Sequence, residues 1–182
     1  MATPTLSSAL QKHAAFFDGN RNGKITVRET YDGLRKLGMQ APTAAGAAVA
    51  INAGLAPLTS RGLDKFDFTI DIANIKAGKH SGDSGLFDQD GHFDRKAFDA
   101  KFAKASGDGK TLTEAELLSL RSAPTDVAGK VASNAEFPLL FKLAKDGTAQ
   151  RGGKTVPVMS KAALLSFYDG TLFPRLAAQR AK

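Results

Sequence analysis

The sequence has no cysteine and no tryptophan, and only two tyrosines against twelve phenylalanines. The missing thiols exclude a disulfide scaffold, a thiolate-zinc site, an iron–sulfur cluster, a cysteine nucleophile and a cysteine-ligated haem. Any metal must be held by imidazole or oxygen. No phosphate-binding loop, nucleophile elbow or His-Glu-x-x-His spacing occurs, so phosphoryl transfer, serine hydrolysis and thermolysin-like zinc chemistry find no support. The first residues, MATPTLSSALQKH, lack the basic start and apolar run of a secretory signal, which makes a cytoplasmic protein the expectation. Basic residues exceed acidic ones by 25 to 18, a net charge of +7. They are spread along the chain with no basic face interleaved with aromatics, so no nucleic-acid partner is expected.

Long, strongly hydrophobic runs are missing too. The stretch 41–58, APTAAGAAVAINAGLAPL, is uncharged but rich in alanine and interrupted by Pro42, Gly46, Asn52, Gly54 and Pro57. A spanning helix needs about 20 strongly apolar residues, and alanine adds little to insertion. The stretch therefore predicts a buried small-residue helix over 43–53, with Pro57 beyond its end and no transmembrane span. A shallow membrane-facing segment is the alternative.

Over the 182 residues, 42% are apolar, enough for one domain with a core built on Phe and Leu. Apolar residues recur three or four apart, as in Leu6, Leu10, Phe17; Phe93, Ala97, Phe98, Phe102; and Leu164, Leu165, Phe167, Tyr168. Gly and Asp clusters at 18–23, 82–91, 106–110 and 146–153 separate these runs. The expected fold is all-α, made of EF-hand-like helix-loop-helix pairs. It is expected to form a single domain over 1–182, with a complete calcium-loop hand at 9–38, the Ala-rich helical insert at 41–58 and degenerate units within 68–182.

Residues 18–29, DGNRNGKITVRE, fit the twelve-residue EF-hand loop. Asp18, Asn20 and Asn22 offer side-chain oxygens at positions 1, 3 and 5, Gly23 allows the sharp turn, and Lys24 supplies a backbone carbonyl. Glu29 closes the loop as a bidentate carboxylate, and Ile25 is the apolar residue that meets a partner loop. These residues predict Ca2+ binding. With two carboxylates against Arg21, Lys24 and Arg28, the loop carries a net +1, so binding should be weak. Candidate metal-free partner hands are 86–97 (LFDQDGHFDRKA), 106–116 (SGDGKTLTEAE) and the expanded KDGTAQRGGKTVPVMSKAALLSF near the C-terminus. Each reads equally well as an ordinary polar loop.

Of the three histidines, His13 sits on the inward face of the helix entering the calcium loop and reads as a hydrogen-bonded core residue or a ligand. His80 follows a run carrying Phe68, Ile72 and Ile75, and reads as a helix C-cap or a ligand. His92 falls in a degenerate loop and takes no role.

The blocks LQKHAAFFDGNRNGKITVRETYDGLRKLG, NIKAGKHSGDSGLFDQDGHFD, LLFKLAKDG and YDGTLF, in that order over 9–173, resemble the caleosin family, the plant and fungal calcium-binding haem peroxygenases. The resemblance implies an enzyme, a haem-dependent peroxygenase that consumes organic hydroperoxides to oxygenate unsaturated fatty acids. Its cofactors would be haem b and Ca2+. His13 and His80 would be both the haem-binding and the catalytic histidines, since they match the family's two. A neutral imidazole suits movement of a proton between the two peroxide oxygens. The partners implied are a hydroperoxide, a fatty-acyl substrate and peripheral contact with lipid droplets or membranes. Pro42 and Pro57 do not form the family's proline knot, and TAQRGGKTVPV is an insertion in the last hand. A non-enzymatic EF-hand calcium-binding module for lipid or partner contact is the alternative reading.

Overall fold

The computed structural model describes residues 6–181, the side chains of 127–129, 131 and 132 excepted. From the N-terminus come α1 (Ala9–Ala15), β1 (Lys24–Ile25), α2 (Val27–Lys36), α3 (Ala41–Thr59), α4 (Leu63–Phe66), β2 (Ile70–Asp71) and a 3₁₀ helix, Ile72–Gly78. There follow α5 (Arg95–Ala105), β3 (Thr111–Leu112), α6 (Glu114–Leu118), α7 (Val127–Ala144), β4 (Gly147–Arg151), β5 (Lys154–Ser160), α8 (Lys161–Tyr168) and α9 (Leu172–Arg180). Helices predominate as expected, but the strictly all-α expectation is corrected by two small antiparallel sheets, β1-β2 and β3-β5-β4. The strands β1, β2 and β3, two residues each, are too short to show an alternating pattern in sequence, whereas β4 and β5 form a hairpin in the stretch expected to be an expanded hand. The β4-β5 hairpin turns through Gly152 and Gly153 at φ 56° and 76°, a region glycine enters without steric cost.

The chain divides into two compact units: residues up to Lys79 with Gln89–His92 and those from Asp169, and His80–Asp88 with Phe93–Tyr168. In the first unit, reciprocal capping boxes start α1 (Ser8 with Gln11) and α2 (Thr26 with Glu29). Ala14, Ile25, Ile70, Ile72 and Ile75 form the core, with Leu10, Phe17, Ile51 and Leu55 packed against it. Gly33 lies in the middle of α2, where glycine costs about 1 kcal/mol relative to alanine. A Cβ there would come within 2.3 Å of the Phe17 ring, so close approach of ring to helix outweighs propensity.

The Ala-rich helix α3 runs Ala41–Thr59, longer than the expected 43–53, and contains Pro57 rather than stopping before it. Its buried residues Ala44, Ala48, Asn52, Ala56 and Thr59 form one stripe at helical spacing. The stripe continues to Thr59, so packing offsets the backbone bond that Pro57 cannot make. Inside the stripe, Asn52 is fully buried. It donates to the carbonyls of Ile25 (3.0 Å) and Phe68 (2.7 Å) and accepts from the Thr30 hydroxyl (2.6 Å). By length and composition α3 could cross a membrane, and 22% of its most apolar window is buried.

The loop-to-loop partners also differ from expectation. Ile25 pairs with Ile70, so the strand beside the 18–29 loop comes from 70–71 and not from 86–97, 106–116 or the C-terminal hairpin. In the second unit, the 106–113 loop between α5 and α6 pairs with β5, Thr111 opposite Ser160 and Leu112 opposite Met159. This joins α5-α6 to α7-α8. The 86–97 stretch has a bridge from Phe87 to Phe93, after which Asp94 caps α5 through the Ala97 amide (2.9 Å). Tyr168, Phe98 and Phe102 are fully buried, and the Phe93 ring stacks on Tyr168 at 5.6 Å.

Candidate functional site

In the first unit, the 18–29 loop folds around two carboxylates. Asp18, 7% exposed, accepts from the amides of Asn22 (3.1 Å) and Gly23 (2.8 Å). The Asn20 and Asn22 side-chain oxygens accept from the amides of Asn22 (3.0 Å) and Lys24 (2.9 Å). Glu29 reaches back across the loop, with Oε1 accepting from the Asn20 amide (3.4 Å) and Oε2 from the Thr26 amide (3.0 Å) and hydroxyl (2.8 Å). Gly23 turns the chain at φ 85°. The Lys24 ammonium is hydrogen-bonded to Asp64, which raises its pKa. The donor set is all oxygen, which suits a hard cation such as Ca2+. Among the described residues no group of three or more His, Asp or Glu side chains is placed to hold a metal.

His13 lies on α1, half-buried, with its ring centroid 4.5 Å from that of Phe173. Phe173 also meets Phe16 and Phe17, both at 5.5 Å, so the imidazole borders an aromatic group of three. The turn before α9 presses on the same helix: a Cβ at Gly170 would lie 3.2 Å from the His13 amide nitrogen. Gly170 has φ 84°, and the two constraints together demand glycine.

His80 belongs to the second unit and does not end a helix, because the cap of Ile72–Gly78 is Lys79. Its Nε2 lies 3.0 Å from Oε2 of Glu136 on α7. Its Nδ1 is buried with no hydrogen-bond partner among the described residues. The turn is closed by the Asp83 amide donating to the His80 carbonyl (3.2 Å). Ser81 donates to Asp126 (2.6 Å) and accepts from the Thr125 amide (3.0 Å), and the Ser122 amide donates to the Asp83 carbonyl (2.8 Å). Next along the chain, Ser84 shares a hydrogen bond with Tyr168, whose phenol is pushed well above its usual range by burial. His92 is exposed.

The 106–116 loop repeats part of the first loop's design. The Gly107 amide donates to Glu116 (2.9 Å), and Thr113 and Glu116 form a capping box like that of Thr26 and Glu29. Here a cation comes from the protein. Arg151, at the end of β4, places Nη2 3.0 Å from Asp108 and Nε 3.5 Å from Glu116. The Asp108 carboxyl is held far below its usual range, first by the Thr111 hydroxyl and then by the amides of Lys110 and Thr111. For Glu116, burial pushes upward, but bonds from Thr113 and Gly107 and the Arg151 charge outweigh it.

Sequence reading missed Glu136 and Arg151. Each meets its partners across 35 residues or more (Glu136 with His80, Arg151 with Asp108 and Glu116), and no local spacing signals such a pair. The insertion carrying Arg151 was visible only as extra loop length.

A family model described as "Caleosin related protein" matches residues 5–177. Among curated proteins, the chain is 36% identical over 183 residues to "Probable peroxygenase 4" of Arabidopsis thaliana, covering 98% of this chain and 90% of that one. It is 34% identical over 179 residues to "Peroxygenase" of Lilium longiflorum, covering 96% of this chain and 72% of that one. No solved structure matches.

Proposed function

The chain belongs to the caleosin family, and from that premise we propose that it is a calcium-binding haem peroxygenase that uses organic hydroperoxides to oxygenate unsaturated fatty acids and similar apolar substrates. Its similarity to two proteins named peroxygenase supports the reaction class. The observation that carries the haem reading is His80, whose one ring nitrogen is held by a carboxylate while the other is buried and unpartnered. In a chain without cysteine, imidazole is the available nitrogen ligand for haem iron. His13 and His80 would hold or serve the haem. When bound, that group supplies the cleavage of the hydroperoxide and the oxidation of the substrate.

The chain's own part is binding, orientation and proton movement. A neutral imidazole nitrogen accepts the hydroperoxide proton and returns it to the departing oxygen, a transfer suited to a group with a pKa near working pH. The ring of Phe173, itself packed by Phe16 and Phe17, covers one side of the His13 imidazole. Asp18, Asn20, Asn22, Glu29 and the Lys24 carbonyl would take Ca2+, with weak affinity because the loop carries net positive charge. Asp18 lies three residues beyond the end of α1 and its amide donates to the Ala15 carbonyl, so a cation there would steady the end of the helix that carries His13.

The test is an absorption spectrum of the full chain purified with haemin, where iron–porphyrin ligation gives a strong band at roughly 400 nm. His13→Ala and His80→Ala should each lose the band or the peroxygenase turnover, and His92→Ala should lose neither. Colourless protein that refuses haemin would overturn the reading in favour of a non-enzymatic calcium-binding module. A peripheral lipid contact for a cytoplasmic protein is supported by Leu58, Leu63 and Phe66, which are 55%, 79% and 77% exposed. Arg61 and Lys65 stand among them in sequence. Flotation with anionic phospholipid vesicles tests this: Leu63→Asp with Phe66→Asp should abolish co-flotation, and unchanged flotation would refute it.

A further inference from the structure

A neutral imidazole carries one proton, and the partners of its two nitrogens decide which one holds it. At His80 those partners are unequal. Nε2 faces Oε2 of Glu136 at 3.0 Å, and an ionised carboxylate can only accept. Nδ1 is buried and meets no acceptor among the described residues. With the proton on Nε2, the ring donates to Glu136 and Nδ1 keeps its lone pair. With the proton on Nδ1, two acceptors would face each other across 3.0 Å and a buried N–H would be left unsatisfied. The geometry selects the first form.

The surroundings hold that form in place. Ser81 and Asp83, just after His80, are hydrogen-bonded to 122–126 immediately before α7, the helix that carries Glu136. The His80 side chain is 17% exposed and that of Glu136 60% exposed, so the imidazole is enclosed while the carboxylate keeps much of its hydration. Histidines that ligate metals generally donate their second ring N–H to a carboxylate or carbonyl, which sets tautomer and orientation.

We propose that Glu136 is the positioning residue of His80, taking the Nε2 proton so that the buried Nδ1 lone pair is the nitrogen that serves the haem. This rests on the haem reading above, and its test separates the two. With only three histidines in the chain, ring ¹⁵N spectra of the uniformly labelled full-length protein can be assigned by comparison with His80→Gln. At a pH about two units above the ordinary histidine pKa of ~6.5, His80 should show a protonated, pyrrole-type Nε2 and an unprotonated, pyridine-type Nδ1. Glu136→Ala should give a mixture of tautomers and weaken haemin binding about 10- to 100-fold, the usual cost of losing such a partner. Glu136→Gln, which keeps an acceptor oxygen without the charge, should fall between. Because Glu136 is well exposed, both variants are expected to fold, and unchanged far-UV dichroism checks this. A wild-type Nδ1–H form, or a Glu136→Ala protein with unaltered tautomer and haemin affinity, would overturn the role of Glu136 and leave the peroxygenase reading standing. Wild-type protein with the Nε2–H form and no haemin binding would overturn the haem-serving half of the proposal together with that reading.

Discussion

Replacing Asn52 by alanine removes the only long polar side chain in the buried stripe of α3. Three hydrogen bonds go with it, leaving the carbonyls of Ile25 and Phe68 and the Thr30 hydroxyl to find other partners at a fully buried position. A typical bond contributes about 1 kcal/mol net, and each buried group left unsatisfied costs up to about 3 kcal/mol. Water entering the vacated space would repair part of this, so we expect a loss of about 3–5 kcal/mol. The assay is amide hydrogen exchange followed by mass spectrometry, which reads each unit separately. At about 1.4 kcal/mol per factor of ten, peptides from α2 and α3 should exchange roughly a hundred to a few thousand times faster, while those from α7 and α8 stay unchanged. Asn52→Leu sharpens the test. It suits a lipid-facing helix, yet here it should destabilise as much as alanine, because none of the three partners is satisfied. A leucine variant exchanging as slowly as the wild type would refute the reasoning and favour α3 outside this packing.

Glu29→Gln keeps an oxygen to cap α2 but loses the bidentate carboxylate. Calorimetry should show loss of the calcium heat with the fold intact, and chelation of the wild type should lower haem content or turnover; activity surviving complete calcium removal would refute the coupling. Asp108 has a folded-state pKa lowered by the Thr111 hydroxyl and neighbouring amides. Its contribution is therefore present above the unfolded value of ~3.9 and lost as pH falls below about 4 toward the folded value. The thermal midpoint of the second unit should decline below about pH 4, and Asp108→Asn should flatten that decline; an identical acid limb in the variant would refute the assignment.

The features legible in the sequence were those set by neighbours along the chain. The Gly23 turn and the helices on either side of 18–29 depend on spacing within a few residues, and loop amides donate to Asp18 and Glu29. The length of α3 was not legible, because Pro57 reads locally as a stop and only packing of Ala56 and Thr59 carries the helix past it. The Ile25–Ile70 pairing was equally hidden, since a two-residue strand leaves no periodic trace. For the candidate site, sequence reading singled out His80 but not its carboxylate, which lies 56 residues further on.

The guanidinium seated between Asp108 and Glu116 has an experimental consequence. It is tethered by covalent bonds, so no chelator can strip it and no dialysis can replace it. Any titration with divalent ions thus contains its own reference within one polypeptide: the proposed calcium loop closed by Glu29 should respond, while its counterpart closed by Glu116 should stay silent.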